Sequence, residues 1–116
     1  MKSKITIEDR EVEMLANAAS PILYRRVFQK DFLKLSTEVS ADSGIEALGI
    51  YEEMGFIMAM QASKPQSALV SLNVSDYLSW LSTFDNPYSV TKAAPDIATL
   101  YNSQELSTST AKKVDG

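Results

Sequence analysis

The sequence predicts an α+β fold: an N-terminal β-hairpin followed by a mainly α-helical bundle of about four helices, with a disordered C-terminal tail. Three observations support this fold class. Apolar and polar residues alternate near the N-terminus, apolar residues then recur at helical spacing, and the last residues are polar and small. We predict a single domain over residues 1–102 and a flexible tail over 103–116.

The segment "KITIEDREVEML" predicts the hairpin, over residues 4–15. Ile5 and Ile7 share one face of an extended chain, and Val12 and Met14 do the same further on. The polar stretch "EDRE" between them is typical of a turn, although it lacks the Asn-Gly or Asp-Gly pair of the tightest hairpins.

The segment "SPILYRRVFQKDFLKL" predicts the first helix, over about 20–35. Ser20 is suited to accept a hydrogen bond from the first helical turn, and Pro21 fits the first helical position. One stripe of this helix is apolar and is expected to face the core. It consists of Tyr24, Val27, Phe28, Phe32 and Leu35. The opposite stripe is polar and consists of Arg25, Arg26, Gln29, Lys30 and Lys34.

A second helix is predicted over 45–63, where Pro65 would stop it. Ser43 and Glu46 have the spacing of a capping box at its start. Its second half, "MGFIMAMQA", is apolar on nearly all sides. Such a helix is either central in the fold or covered by a partner. Gly49 and Gly55 would either let another helix approach closely or let this helix bend.

Two shorter helices follow, at 74–84 and 95–103, after a segment, "QSALVSLN", that fits either a short helix or an extended chain. Asn73 or Ser75 can cap the first of them. Its inward residues are expected to be Tyr77, Trp80, Leu81 and Phe84. The second is expected to have Pro95 in its first turn and to direct Ile97, Leu100 and Tyr101 inward.

The composition excludes several kinds of chemistry. The chain has no Cys and no His, which rules out disulfides, thiolate nucleophiles, Ser-His pairs and zinc sites built from these residues. Glu52 and Glu53 are adjacent and so point in different directions on a helix. We therefore expect no enzyme activity, no catalytic residue, no cofactor and no metal site. No apolar run is long enough to span a membrane, and the charged start does not resemble a signal peptide.

Charge is unevenly distributed along this chain of net charge −4. Residues 1–34 carry seven cations and five anions, a net of +2, whereas residues 35–63 carry no cation and five anions, a net of −5. We expect the two segments to make contact, within one chain or between copies. Arg25, Arg26 and Lys30 are candidate partner-binding residues; the alternative is a solvated helix face paired with Glu or Asp.

The apolar second helix supplies further candidate partner-binding residues: Met54, Phe56, Met58 and Met60. Methionine is flexible and suits surfaces that accept varied apolar partners. The alternative is that these side chains fill the core. Trp80, the only tryptophan, is a candidate interface anchor. Its alternative role is a core residue with one exposed edge.

The order of these segments resembles the tail assembly chaperones of long-tailed bacteriophages, of the type found in phages of Gram-positive bacteria. The segments that carry the resemblance are "ITIEDREVEM", "ANAASPILYRRVFQKDFLK", "IEALGIYEEMGFIMAMQA" and "DYLSWLSTFD", which together cover about residues 4–85. Members of this family begin with a short hairpin, continue with a Tyr/Arg-containing helix and an apolar Met- and Ala-rich helix, and then show a "WL…F" helix.

The resemblance implies a chaperone that binds the tape-measure protein, keeps it soluble and helps recruit tail-tube subunits. It implies a location in the cytoplasm of the host bacterium and absence from the mature virion. In many such phages a ribosomal frameshift makes a longer product, and Lys112-Lys113 fits an A-rich slippery run. From the residues themselves we expect self-association, through pairing of the basic first helix with the acidic segment 35–63 of a neighbouring copy. We expect no nucleic-acid partner, because the chain is acidic overall, and no membrane partner. The alternative interpretation is a small DNA-associated regulatory protein or antitoxin that uses the basic helix 25–34.

Overall fold

The predicted fold class is confirmed: a two-stranded antiparallel hairpin precedes a set of helices. The computed structural model describes residues 2–38 and 45–115, with side chains at 2–37 and 48–102. The described residues form six helices rather than about four. The capping box predicted at Ser43 and Glu46 lies outside the residues whose side chains are described.

Strands β1 (Lys2–Ile7) and β2 (Arg10–Leu15) form the hairpin that the alternating pattern predicts. Ile5 pairs with Val12, and Ser3 pairs with Met14. Because directly opposed residues lie on the same face of a sheet, this register places Ile5, Ile7 and Met14 together on the face that packs against the helices, where all three are buried.

The hairpin turn is tight although it lacks glycine. Glu8 and Asp9 both adopt positive φ, at 54° and 65°, which is the backbone requirement of a type I′ turn. Tertiary contacts hold this strained turn. The Glu8 carboxylate accepts hydrogen bonds from the backbone N–H groups of Asp85 (3.1 Å) and Asn86 (2.7 Å) and from the Ser89 hydroxyl. The turn therefore fixes the segment that leads into the last helix.

These hydrogen bonds make the Glu8 contribution to stability depend on pH. The Ser89 hydroxyl first, and then the Asn86 N–H, hold the pKa of Glu8 below its ordinary value of 4.5. Because the folded state favours the carboxylate, this stabilisation is present above pH 4.5 and is lost as the pH falls through the lowered pKa. We expect Glu8→Gln to flatten the loss of thermal stability between about pH 5 and pH 2. The melting temperature measured against pH checks this.

The control for this prediction is Glu13→Gln, on the exposed face of β2. No hydrogen bond is described for the Glu13 side chain in the part of the chain that the structure covers. We expect the Glu13 variant to keep the acid profile of the parent chain. If both variants lost stability with acid as the parent does, Glu8 would not be the source of the effect.

The first predicted helix is two helices, α1 (Ser20–Phe28) and α2 (Phe32–Glu38), so the prediction of one helix over 20–35 is wrong. Gln29 ends α1 in a left-handed conformation (φ 59°, ψ 34°), and its N–H bonds to the Arg25 carbonyl. The chain then turns, and the Phe32 ring packs edge-on against Tyr24 with 5.0 Å between ring centroids. The apolar stripe therefore still faces the core, but from two helices.

Ser20 is not the N-cap of α1. Ala19 occupies that position, and no side-chain cap is described there. The Ser20 side chain is instead buried, donates to the Gln61 side-chain oxygen at 2.6 Å and accepts from the Asn17 backbone N–H at 3.1 Å. The Gln61 amide in turn donates to the Asn17 side chain at 2.9 Å. This polar cluster ties the start of α1 to the next long helix.

That helix, α3 (Ile45–Ser63), is the centre of the fold. It packs against β2, α1 and α2 and against the last helix, α6 (Ser89–Asp115). The side chains that it buries come from all sides of its second half. They are Met54, Phe56, Ile57, Met58 and Ala59. The all-round apolar pattern therefore reflects a central helix in this chain.

Gly55 lets α6 approach α3 closely. A Cβ atom at this position would lie 2.7 Å from Cδ1 of the buried Ile97, whereas a Cβ at Gly49 would meet nothing within 4 Å among the described residues. The two glycines of one helix therefore have different roles: the absence of a side chain at Gly55 makes room for Ile97, and Gly49 has no such neighbour.

We expect Gly49→Ala to raise the free energy of unfolding by about 0.5–1 kcal/mol through helix propensity. We expect the free energy of unfolding of the Gly55→Ala variant to be about 1–3 kcal/mol lower than that of the Gly49→Ala variant, because the added methyl group overpacks the contact with Ile97. Chemical denaturation followed by circular dichroism measures both. Replacing Ile97 by Val removes Cδ1, so Gly55→Ala should cost about 1 kcal/mol less in that background. Equal effects of the two Gly→Ala changes would contradict the close approach.

The remaining helices are short or start differently from prediction. Pro65 follows the end of α3 as expected, and the ambiguous segment contains one helical turn, α4 (Gln66–Leu69). Helix α5 (Val74–Leu81) begins with a capping box in which Asn73 and Asp76 bond reciprocally, so Asn73 rather than Ser75 is the cap. Helix α5 ends three residues before the predicted boundary at 84, and Phe84 is buried just beyond it.

Helix α6 begins at Ser89, earlier than the predicted start near residue 95. Pro95 therefore lies inside α6 and not in its first turn. At this interior position proline has no N–H to donate, so α6 lacks one backbone hydrogen bond, and the Pro95 side chain is exposed. Ile97 and Leu100 are buried, as predicted. The backbone of α6 continues to Asp115, through the segment that was predicted to be a flexible tail. The side chains of residues 103–116 lie outside the described residues, so the flexibility of this segment stays a prediction.

Candidate functional site

Three predicted partner-binding residues on α3 are part of the core. Met54, Phe56 and Met58 each have no exposed surface. The Phe56 ring contacts Phe28, Tyr77 and Trp80, with centroid distances of 6.4, 5.3 and 5.9 Å. The interpretation of these side chains as a docking surface is wrong for this fold, because packing by neighbouring elements covers every side of the helix.

Met60 and Trp80 are half-buried at the edge of the same core. The Trp80 ring lies edge-on to Phe84 at 5.2 Å and tilted to Phe56 at 5.9 Å. Trp80 is therefore a core residue with one exposed edge, which was the alternative to an interface anchor. Any role in partner binding is limited to that edge.

Lys30 contacts the acidic segment within the chain. Its ammonium group lies 3.1 Å from a carboxylate oxygen of Glu53 on α3, and the same oxygen accepts a hydrogen bond from the Tyr24 hydroxyl at 2.5 Å. Burial, followed by this hydrogen bond to Glu53, raises the pKa of Tyr24 well above its ordinary value. The expected contact between the basic and acidic segments therefore exists inside one copy.

Arg25 and Arg26 are both exposed on α1. Arg26 donates a hydrogen bond from Nε to the carbonyl of Val70 at 3.0 Å, and Val70 is the residue that caps the C-terminal end of α4. This bond satisfies a carbonyl at a helix end and holds α4 against α1. The predicted set is thus divided: Lys30 makes a contact within the chain, while Arg26 bonds to a residue that lines a different surface.

That surface is an open apolar groove between α1 and α4, which we call the α1–α4 groove. It has a volume of about 390 Å³. Its apolar lining comes from Leu15, Ala19, Ile22, Leu23, Leu69 and Val70. Its polar lining comes from Asn17, Gln61, Lys64 and Gln66. Asn17 and Gln61, which belong to the polar cluster around Ser20, thus also line the groove.

Two of the apolar residues in the groove are largely exposed. Ile22 keeps 60% of its surface accessible and Val70 keeps 55%. Val70 is followed along the chain by two more exposed apolar residues, Val74 and Leu78 on α5. Single exposed apolar residues are ordinary in folded proteins, but a lined concavity with exposed aliphatic walls is a typical binding surface.

Comparison with protein families, with curated proteins and with solved structures finds no match to this chain. The site must therefore be interpreted from its own geometry. Among the described side chains, at residues 2–37 and 48–102, no group of three or more acidic residues is arranged to hold a metal ion. Among the helices of the same residues, none is both long and apolar enough to cross a membrane.

Sequence reasoning missed the residues that line the α1–α4 groove. Ile22 lies outside the apolar stripe of the first helix, and Val70 belongs to the segment whose structure was ambiguous. The available signal was an aliphatic residue off the core stripe of an amphipathic helix. That signal alone does not identify a groove, because its other walls come from residues far away in the sequence.

Proposed function

We propose that this protein is a tail assembly chaperone of a long-tailed phage that binds the tape-measure protein, keeps it soluble and helps recruit tail-tube subunits. The proposal combines the family resemblance of residues 4–85 with one structural observation, the exposed apolar α1–α4 groove. It includes self-association, activity in the host cytoplasm and absence from the finished particle.

The groove suits this role because a tape-measure protein presents long amphipathic helices. Before the tail assembles, the apolar stripes of such helices are exposed and promote aggregation. A helix laid into a hydrophobic groove buries its stripe while its backbone hydrogen bonds remain internal. Many chaperone copies along one client would add weak contacts into effective protection. Exposed Ile22 and Val70 supply the contact surface that the buried methionines do not.

The test is co-expression with the candidate tape-measure protein. We expect Ile22→Gln to reduce the soluble client fraction several-fold, because it places an amide in the apolar wall of the groove without disturbing a buried residue. The soluble fraction is measured by centrifugation and quantitative immunoblotting. Melting curves of the variant should match those of the parent, since surface substitutions usually change stability by no more than about 0.5 kcal/mol.

The matched control is Leu33→Gln on α2, a residue that is 53% exposed and does not line the groove. We expect this variant to keep the client soluble. An equal loss of client solubility with both variants would show that the groove is not the binding surface. A client that stays insoluble with the unaltered chain would reject the chaperone function itself.

A further inference from the structure

The α1–α4 groove has a cationic border in an acidic protein. The two stretches that build it, residues 15–29 and 60–72, contain three cations and no Asp or Glu: Arg25, Arg26 and Lys64. The chain as a whole has a net charge of −4. Lys64 lines the groove, and Arg26 reaches its wall through the hydrogen bond to the Val70 carbonyl. These two positive charges lie at the groove on a molecule of the opposite sign, and their field would attract carboxylates.

These three cations have no carboxylate partner within the described residues. The two ion pairs described there are Lys4–Glu11 and Lys30–Glu53, both formed by other residues. The one described hydrogen bond of the Arg26 guanidinium uses Nε and goes to a neutral carbonyl. Lys64 lines the groove, follows the end of α3 and is exposed. The positive charge beside the apolar walls is thus not neutralised by the described part of the chain.

We propose that the α1–α4 groove selects an amphipathic helix whose apolar stripe is flanked by Asp or Glu. This inference rests on the proposed chaperone function and specifies which client segments the groove takes. The aliphatic walls bind the stripe, and Arg26 and Lys64 pair with carboxylates at its edges. Charge pairing at the edge of an interface contributes mainly to selectivity and association rate.

The lining explains why the occupant is a helix. An extended peptide needs a sheet edge or other open backbone groups to satisfy its N–H and C=O groups. Five of the ten residues described in the groove lining lie in α1, α3 and α4, whose backbone groups bond within those helices. A helix satisfies its own backbone and needs only side-chain contacts. None of the described residues in the groove lining is an aromatic on which bases would stack, so the groove suits a nucleic acid poorly.

Two synthetic helical peptides test the proposal with the full-length chain. Both carry the same apolar residues at i, i+3, i+4 and i+7; one has Glu at the flanking positions and the other has Lys. We expect the Glu peptide to bind about five- to tenfold more tightly by fluorescence anisotropy in about 0.1 M salt. The difference should nearly vanish at about 1 M salt, where the Debye length is about 3 Å.

A pair of charge reversals locates the selectivity. Lys64→Glu should remove most of the preference for the Glu peptide. Lys92→Glu makes the same change in net charge at an exposed residue of α6 that does not line the groove, and this variant should keep the preference. Ile22→Gln should weaken both peptides by a similar factor, because it alters the apolar wall and no charge. Melting curves confirm that each variant is folded.

Several outcomes would overturn the inference. They are equal affinity for the two peptides, binding of neither peptide, or equal effects of Lys64→Glu and Lys92→Glu. Lys64-dependent binding of duplex DNA or of anionic vesicles without binding of the Glu peptide would assign the positive border to another ligand and also reject it. A chain that prefers the Glu peptide but fails to keep the tape-measure protein soluble would retain this inference and lose the proposed function.

Discussion

Truncation of Phe56 to alanine is expected to lower the free energy of unfolding by about 3–5 kcal/mol. The ring is fully buried on α3 and contacts the rings of Phe28, Tyr77 and Trp80. The substitution removes the transfer free energy of the ring, leaves a cavity and breaks three ring contacts, each of which contributes about 0.5–1.5 kcal/mol. Because small domains are stable by only about 5–15 kcal/mol, the loss is a large fraction of the total.

Urea denaturation followed by far-ultraviolet circular dichroism measures this effect without relying on Trp80, which lies in the altered cluster. Leu78→Ala on α5 is the control, because Leu78 is an apolar residue that is 56% exposed. We expect the control to change stability by no more than about 0.5 kcal/mol. A Phe56 variant as stable as the Leu78 variant would mean that the ring is not in the core.

Substitution of Ser20 by alanine is the second large effect, with an expected loss of about 1–3 kcal/mol. The Ser20 hydroxyl donates to the buried Gln61 side chain and accepts from the Asn17 N–H. Removing it leaves the Gln61 oxygen without that donor in a place with little access to water. The cost of an unpaired buried polar group exceeds the small net value of the hydrogen bond itself.

A double-mutant cycle separates this explanation from a general packing effect. Gln61→Leu in the Ser20→Ala background removes the unpaired oxygen and should recover part of the lost stability. Denaturation curves of the four proteins give the coupling energy. A coupling energy near zero would show that Ser20 acts through packing or helix propensity instead of through Gln61.

The two large effects also clarify the relation between core and site. The Met-rich half of α3, which includes Phe56, stabilises the domain, so we expect substitutions there to affect the proposed client binding only by unfolding the protein. At the α1–α4 groove, the proposed client binding can be altered without a loss of stability, since Ile22 and Val70 are exposed. The Ser20–Gln61–Asn17 cluster links the two, because Asn17 and Gln61 also line the groove.

Local patterns predicted most elements of this fold. Alternation over residues 4–15 predicted the hairpin, and helical spacing predicted the regions of α1, α3 and α5 and the inward residues Ile97 and Leu100. The break at Gln29 was not predicted, because the apolar stripe continues through it without a Gly or Pro. The early start of α6 was missed because Pro95 was assigned to a first turn.

The candidate site was predicted only in part. The sequence identified the basic side of the first helix, and Arg26 on that side bonds to Val70 in the groove wall. It could not distinguish a helix central in the fold from one covered by a partner, because both require apolar residues on all sides. The groove walls come from Leu15, Ile22 and Val70, which are separated along the chain and meet only when α4 packs against α1.

By itself, the sequence determined the α+β class, the presence of the hairpin and the periodic faces of the helices, because these depend on residues a few positions apart. It also excluded chemistry that needs Cys or His. Tertiary structure alone decided that Met54, Phe56 and Met58 are buried and that Ile22 and Val70 remain open to a partner. The physical reason is that exposure of an apolar side chain depends on which distant elements pack over it, and local spacing does not contain that information.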